Sequence, residues 1–135
     1  MKTKPVLTID DVRTILDAAS RYAREHDWNV TISVVDDGGH LLGMLRLDGA
    51  APLTAVISPG KARVSALGRR ESGTYEQSIN EGRYAYLSVP MDAMLEGGVP
   101  IVVDGQVVGA VGVSGVKSTQ DVEIAKAGIA ALSGR

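Results

Sequence analysis

The chain has 135 residues, a formal net charge of −2 and 44% hydrophobic residues, which is typical of one globular domain spanning residues 1–135. Because it contains no cysteine, disulfides, thiolate nucleophiles and cysteine-based metal sites are excluded. The absence of a basic patch predicts no nucleic-acid partner, and the absence of a long apolar run predicts a cytoplasmic protein with no membrane partner.

The amino-terminal third predicts a helix followed by a β-hairpin. Thr8 is a typical N-cap, and the helix is expected to end near residues 25–27. Residues 30–35 and 40–47 are typical of two strands, and Asp37–Gly39 provides the turn between them. The helix should bury the apolar residues that recur at helical spacing, namely Val12, Ile15, Leu16, Ala19 and Ala23.

The start of the second helix is open to two interpretations. Ser58 can cap a helix that has Pro59 in its first turn. A start near Leu53 would instead place Pro59 inside the helix, at a cost of about 3 kcal/mol. The predicted segments that follow are helical over 61–70, helical over 74–80, extended over 84–87 and irregular over 90–96.

The carboxy-terminal third predicts a second hairpin and a final helix. Two β-branched runs flank Asp104-Gly105, a strong hairpin signal, and Ser118 with Asp121 forms a candidate capping box. The final helix should bury Val122, Ala125, Ile129 and Leu132. Since both strand pairs are local hairpins, we predict an α+β layered sandwich with a central, mainly antiparallel sheet covered by helices.

The glycines near the second hairpin admit both a packing and a binding interpretation. Backbone amides of the Gly97-Gly98-Val99-Pro100 turn could cradle an anion. Gly109, Gly112 and Gly115 fall within and at the end of a strand, whereas a dinucleotide fingerprint requires glycines in a strand-to-helix turn, so they are not such a fingerprint. Strand glycines usually allow close packing, and that interpretation stays open beside ligand approach.

Three charged residues are candidates for binding or catalysis. Arg46 and Asp48 share one face of the second strand, where they could pair with each other or with Lys61. Alternatively, Arg46 binds a carboxylate or a haem propionate. Lys61 falls in the first turn of a helix that begins at Pro59, where the helix dipole disfavours a cation, so it is either solvated or holds a substrate anion.

Four further residues could contribute to a site. Glu96 precedes the double glycine and is a candidate general base, and Ser114 suits a polar ligand contact. His26 and His40 have the chemistry of haem ligands, with a structural or surface role as the competing interpretation. Of the two histidines, we take His26 as a candidate cofactor ligand. No histidine cluster predicts a metal site.

Taken together, these motifs resemble the GlcG/HbpS-like family, whose members include the carboxy-terminal domain of PduO proteins. The resemblance covers the chain from about Thr8 to Leu132. It is carried by Val34-Val35-Asp36 with Gly39, Arg46–Ala50, Lys61-Ala62, Gly97–Ile101, Gly109–Gly115 and Gln120-Asp121.

The resemblance implies a profilin-like sandwich that assembles into homo-oligomers and binds haem or another tetrapyrrole, in association with a catabolic pathway. It implies a ligand site at Arg46, Asp48, Lys61, Gly97, Gly98, Val99, Pro100 and Ser114. The alternative is a small cofactor-independent enzyme, an isomerase, hydratase or hydrolase acting on a small carboxylate or carbonyl compound. In that enzyme Arg46 and Lys61 would hold the anion, and Glu96 or Asp48 would move a proton.

Overall fold

The computed structural model describes residues 1–134, and this part of the chain holds four α-helices and four β-strands. The helices are α1 (Ile9–Glu25), α2 (Thr54–Gly68), α3 (Gly73–Asn80) and α4 (Ser118–Ala130). The strands are β1 (Thr31–Asp36), β2 (Leu41–Arg46), β3 (Gly98–Val103) and β4 (Gln106–Ser114). Short 3₁₀ turns span Tyr84–Ser88 and Ala131–Gly134.

The strands form one antiparallel sheet in the order β2-β1-β4-β3. The two predicted hairpins are β1–β2 and β3–β4, and β4 joins them by pairing with β1. Asp104 and Gly105 both have positive φ, at 50° and 74°, as a tight hairpin turn requires. The α+β class and the central antiparallel sheet are therefore confirmed.

The two faces of the sheet are packed differently. Ile32, Val34 and Val113 point toward α1 and α4, where the larger of the two buried apolar clusters lies. The opposite face is covered by α2, and the small residues Ala62 and Ala110 meet there. Small side chains on that face bring α2 unusually close to the sheet, which determines where the charged groups of α2 lie.

The two ends of α1 agree with the sequence. Thr8 caps the helix, with its hydroxyl accepting a hydrogen bond from the Asp11 amide at 3.2 Å. The Asp11 carboxylate in turn accepts a hydrogen bond from the Thr8 amide at 2.9 Å. This reciprocal pair satisfies two amide donors that the first helical turn would otherwise leave free.

The structure decides between the two interpretations of the second helix. Helix α2 begins at Thr54, so the early start is right and Pro59 lies inside the helix. Ser58 is no cap, because it is buried and its hydroxyl donates to the Gly112 carbonyl at 2.8 Å. Lys61 consequently lies near the middle of α2, and the prediction that placed it in a first turn is wrong.

Two other local predictions are wrong. Residues 84–87 form a 3₁₀ turn and not an extended segment. Ser118 and Asp121 form no capping box. The side-chain oxygen of Gln120 accepts a hydrogen bond from the Lys117 amide at 3.2 Å, while the Asp121 side chain is buried in the interior. The fully buried residues of α4 are Asp121, Ile124, Ala125 and Gly128, whereas the predicted Val122, Ile129 and Leu132 are only partly buried.

Candidate functional site

Lys61 and Asp121 form a buried ion pair between α2 and α4. The Lys61 ammonium lies 3.1 Å from the Asp121 carboxylate and donates a second hydrogen bond to the Val113 carbonyl at 2.9 Å. The two side chains are only 5% and 3% exposed. Lys61 was predicted to pair with Arg46 or Asp48, and this prediction is wrong. Its ammonium instead points toward α4, where it contacts Asp121.

Burial controls the protonation of this pair. Removal from water raises the pKa of Asp121 to about 6, although the Lys61 ammonium and a hydrogen bond from the Val116 amide both oppose that rise. The nearby carboxylate of Glu96 adds to the increase. Asp121 thus changes charge near neutral pH within a protein interior, where each charge is costly.

The glycines beside Lys61 serve close packing. A Cβ on Gly98 would collide with the Lys61 carbonyl, and one on Gly112 would lie 2.5 Å from the Ala62 amide nitrogen. The Gly98 amide already donates to the Ser72 hydroxyl at 2.8 Å, so it is not free to cradle an anion. Gly98 and Gly112 are partners across β3 and β4, which together admit α2 against the sheet.

The remaining residues of the predicted turn belong to the sheet edge. Val99 and Pro100 lie within β3, and Gly97 immediately precedes it with φ 138°. A side chain on Gly97 would meet the Val113 carbonyl and the Lys61 ammonium. The packing interpretation accounts for these positions, and the ligand role predicted for Gly97, Gly98, Val99 and Pro100 stays a prediction.

Arg46 and Asp48 line a cavity of about 550 Å³ at the carboxyl end of β2. The Arg46 guanidinium donates two hydrogen bonds to the Ala50 carbonyl, at 3.1 and 2.9 Å. Its predicted ion pair with Asp48 does not form. Arg24 and Trp28 also line this cavity, which we call the Arg24–Arg46 cavity.

His26 lies near the Arg24–Arg46 cavity, at the end of α1. Its ring packs against both Tyr22 and Trp28, with a centroid distance of 4.5 Å to each, and these two rings also meet each other at 6.2 Å. Its Nδ1 lies 2.8 Å from the Tyr22 carbonyl oxygen, which can only accept, so Nδ1 is the donor in this contact. Metal-ligating histidines commonly donate their second ring N–H in this way, and the same contact also serves a purely structural role.

The other candidates are separated from one another. His40 is largely exposed and its ring lies beside Asp36 at 3.2 Å. Glu96 is half-buried against Gly73, and Ser114 is buried at the end of β4, opposite Thr31 of β1. The structure thus brings Lys61 and Glu96 near Asp121, but it places Asp48 and Arg46 on a different cavity.

A further cleft, which sequence reasoning missed, lies between α2, α3 and the irregular segment that follows. It consists of adjoining cavities of about 440 and 240 Å³, which share four lining residues, Tyr86, Val89, Met91 and Met94. We call it the tyrosine–methionine cleft. The rest of its wall is formed by Val64, Leu67, Gly68, Tyr75, Glu76, Ile79, Asn80, Leu87, Ala93 and Leu95.

Two arginines flank the aromatic side chains of the cleft. Tyr75 and Tyr86 meet edge to face with ring centroids 5.1 Å apart. The Arg70 guanidinium carbon lies 5.1 Å from the Tyr75 centroid, and that of Arg83 lies 4.7 Å from the Tyr86 centroid. The cleft therefore combines an apolar interior, phenol and thioether donors, and two cations at its aromatic edge.

The sequence does carry a signal for this cleft. Residues 75–94 hold three of the four tyrosines of the chain and two of its four methionines, although aromatic residues make up only 4% overall. That concentration marks a local function for large polarizable side chains. It was missed because the segment has no regular periodicity, and so no face of it could be assigned to a core or a cavity.

Within residues 1–134, no cluster of three or more metal-ligating side chains occurs, and every buried polar side-chain atom has a hydrogen-bond partner. The same residues include no helix with both the length and the apolar composition needed to cross a bilayer.

The chain matches the family model described as "Haem degrading protein HbpS-like" over residues 7–130. It belongs to this HbpS-like family. Protein GlcG of Escherichia coli K12 is 52% identical over 114 residues, which cover 84% of this chain and 85% of that protein.

Solved structures of similar proteins agree with the fold. The crystal structure of Klebsiella pneumoniae protein ORFY matches with a TM-score of 0.90 at 28% identity, covering 100% of this chain and 97% of that one. The crystal structure of a PduOC:heme complex matches with a TM-score of 0.84 at 24% identity, covering 94% and 95%. At that identity the second match supports the fold alone.

Proposed function

We propose that this HbpS-like chain is a small-ligand-binding protein that binds haem, or a closely related tetrapyrrole, in the tyrosine–methionine cleft. The observation that carries the proposal is an apolar cleft with phenol and thioether donors inside and arginines beside it. The family description, "Haem degrading protein HbpS-like", supports the choice of ligand. Bound haem would supply an iron centre for ligand binding or redox chemistry.

The residues of the cleft fit this ligand chemically. The larger cavity, at about 440 Å³, falls within the range of about 300–1,000 Å³ that small-molecule sites occupy. Tyrosine oxygen and methionine sulfur are both known axial ligands of haem iron. Tyr86 is the strongest candidate because it lines both cavities, and Met94 is the alternative sulfur donor on the same wall.

The two arginines would hold the acidic edge of the ligand. Arg70 and Arg83 are exposed, and neither forms an ion pair within the described residues. Arginine binds carboxylates in a bidentate manner, which suits the two propionates of haem. An apolar body with an acidic edge is thus the ligand shape that the tyrosine–methionine cleft matches.

The test is a titration of the purified protein with hemin, followed by Soret absorbance. We expect saturation at one haem per chain, with Tyr86→Phe altering the Soret band and weakening binding at least about tenfold. Tyr84→Phe is the matched control, because Tyr84 is 67% exposed and does not line the cleft. Met94→Leu tests the sulfur donor in the same way.

Two outcomes contradict the proposal. Binding that never saturates rules out a defined haem site. A saturable Soret change that survives both Tyr86→Phe and Met94→Leu but is lost in His26→Gln moves the site to the end of α1. That result would restore the prediction made for His26 and its neighbour Arg46.

The alternative of a cofactor-independent enzyme is not favoured by a specific contact. It requires Lys61, Glu96 and Asp48 around one substrate, whereas Lys61 is bound to Asp121 and Asp48 lines the Arg24–Arg46 cavity. The association with a catabolic pathway and the cytoplasmic location stay predictions.

Large apolar side chains remain exposed on β2 and at the start of α2. They include Leu41 of β2, Leu53, which immediately precedes α2, and Val56 of α2, at 54%, 63% and 65%. Contiguous apolar surface of this kind is typical of a protein interface. We therefore propose that the chain forms homo-oligomers.

A further inference from the structure

The Arg24–Arg46 cavity gathers charges of both signs. Four of its nine lining residues are charged, namely Arg24, Asp27, Arg46 and Asp48. The first two lie at the end of α1 and in the turn after it, and the other two lie at the end of β2 and in the turn after that strand. Two positive and two negative charges cancel, so the cavity as a whole favours neither an anion nor a cation.

These four side chains do not neutralise one another. Across the described part of the chain, the ion pairs include none of them. Arg24 donates only within α1, from its Nε to the Ser20 carbonyl at 3.4 Å. Opposite charges that line one cavity without pairing leave donors and acceptors available to a ligand that carries both signs.

The turn after β2 is fixed before any ligand binds. The Arg46 guanidinium holds the Ala50 carbonyl through Nε and Nη2, which closes the turn that carries Asp48 and leaves three of its five N–H groups unused by that contact. Gly49 has φ 83°, and a Cβ there would lie 2.8 Å from the Asn29 side-chain nitrogen. Because this turn lies against Asn29, the two charged turns are held side by side, and such preorganisation favours binding.

The turn after α1 places a carboxylate where glycine is usual. Asp27 has φ 57°, and the Trp28 amide donates to the Ala23 carbonyl at 2.9 Å, which is the hydrogen bond of a helix-terminating turn. Glycine or asparagine normally occupies the left-handed position of that turn, so aspartate there keeps a charge at the cavity despite the strain. Trp28 follows directly and lines the same cavity, with its ring packed against His26 at 4.5 Å.

We propose that the Arg24–Arg46 cavity binds a zwitterion, namely an α-amino acid with an apolar side chain. Arg24 and Arg46 bind its carboxylate. Asp27 and Asp48 bind its ammonium, and the Trp28 ring contacts its side chain. A phosphate or a pair of haem propionates would meet the two aspartates, and a metal ion would meet the two arginines, so ligands of a single sign are disfavoured.

This site is separate from the proposed haem site, because the Arg24–Arg46 cavity shares no lining residue with the tyrosine–methionine cleft. Its volume of about 550 Å³ lies within the range of about 300–1,000 Å³ that small-molecule sites occupy. The proposal therefore adds a second, smaller and more polar ligand to the one proposed above.

The experiment follows the fluorescence of Trp28, which is the single tryptophan of the chain and so reports on this cavity. The purified protein is titrated with L-phenylalanine, with hydrocinnamate, which lacks the ammonium, and with phenethylamine, which lacks the carboxylate. We expect a saturable change with L-phenylalanine. Each analogue should bind at least about tenfold more weakly, because it loses charge-assisted hydrogen bonds at one end.

Two variants assign the two ends of the ligand. Asp27→Asn removes one charge and keeps a residue that tolerates positive φ, so it should weaken L-phenylalanine about tenfold without weakening hydrocinnamate. Arg24→Gln should weaken both ligands. Arg21→Gln is the matched control, because Arg21 is exposed on the same helix and does not line the cavity. It should leave both affinities unchanged.

Three results would overturn the proposal. The first is a fluorescence that shows no saturable change with either L-phenylalanine or L-leucine. The second is equal affinity for L-phenylalanine and hydrocinnamate, which would mean that the ammonium is not recognised. The third is loss of L-phenylalanine binding in calorimetry when the protein is loaded with hemin, which would place haem in this cavity. Failure of hemin to bind would overturn the haem proposal and leave this one standing.

Discussion

Replacing Lys61 with methionine tests whether the buried ion pair stabilises the protein. Lys61→Met keeps the length of the side chain but removes the ammonium, which leaves the Val113 carbonyl and the Asp121 carboxylate without their partner. Both side chains are at least 95% buried, so water cannot replace the lost contacts. Breaking such a pair costs about 3–5 kcal/mol, a large share of the roughly 5–15 kcal/mol that stabilises a typical domain.

The pH dependence of the wild type follows from the Asp121 pKa. That pKa is about 6 in the folded protein and 3.8 in the unfolded reference, so the folded state binds the proton more tightly. The stability that the folded protein gains from this tighter proton binding is fully present at pH values below 3.8. It is lost as the pH rises through about 6. A difference of about two pKa units corresponds to about 3 kcal/mol.

The same linkage sets the pH dependence of the variant. Lys61 lowers the pKa of Asp121, so Lys61→Met raises that pKa further. The free energy of unfolding should therefore be most reduced near neutral pH, where a lone buried carboxylate is charged. It should recover as the pH falls and the carboxyl becomes neutral.

The assay is urea unfolding at about pH 5 and about pH 7.5, followed by circular dichroism. The variant Lys61→Met/Asp121→Leu is the control, because replacing both partners removes the uncompensated charge and should restore much of the stability. A loss below about 1 kcal/mol in Lys61→Met at about pH 7.5 would refute the reasoning. A deficit that does not change with pH would refute the protonation part alone.

Two further predictions concern packing and capping. Gly112→Val should reduce the free energy of unfolding by more than about 3 kcal/mol or prevent folding, because its side chain enters the space of Ser58 and Ala62. Gly38→Ala should be mild, because its Cβ would meet only the side chains of His40 and Asp36 at the exposed turn, and equal urea midpoints for the two variants would contradict this account. Thr8→Ala should cost about 1 kcal/mol by removing the cap of α1, and Thr8→Ser should recover most of it in the same thermal unfolding assay.

Features that depend on a few neighbouring residues were predicted correctly from the sequence. The Thr8 cap and the Asp104-Gly105 turn are examples, since hydrogen bonding and positive φ are settled within four residues. The α+β class followed from them, because two local hairpins constrain the sheet to be antiparallel. The interior proline of α2 could not be settled locally, because the contacts that hold this part of α2 against β4, such as the Ser58 hydrogen bond to the Gly112 carbonyl, are tertiary.

The candidate sites depended on contacts that no local pattern encodes. Asp121 was interpreted as a cap from its spacing to Ser118, yet its partner is Lys61, 60 residues away. The tyrosine–methionine cleft likewise arises only when the irregular segment 84–95 folds over α2 and α3. The sequence by itself determined most of the helices and strands and the two hairpin turns, because backbone geometry there is set by near neighbours. The tertiary structure alone decided which charges are buried together and where a cleft is left, because both follow from how tightly α2 packs on the glycines of β3 and β4.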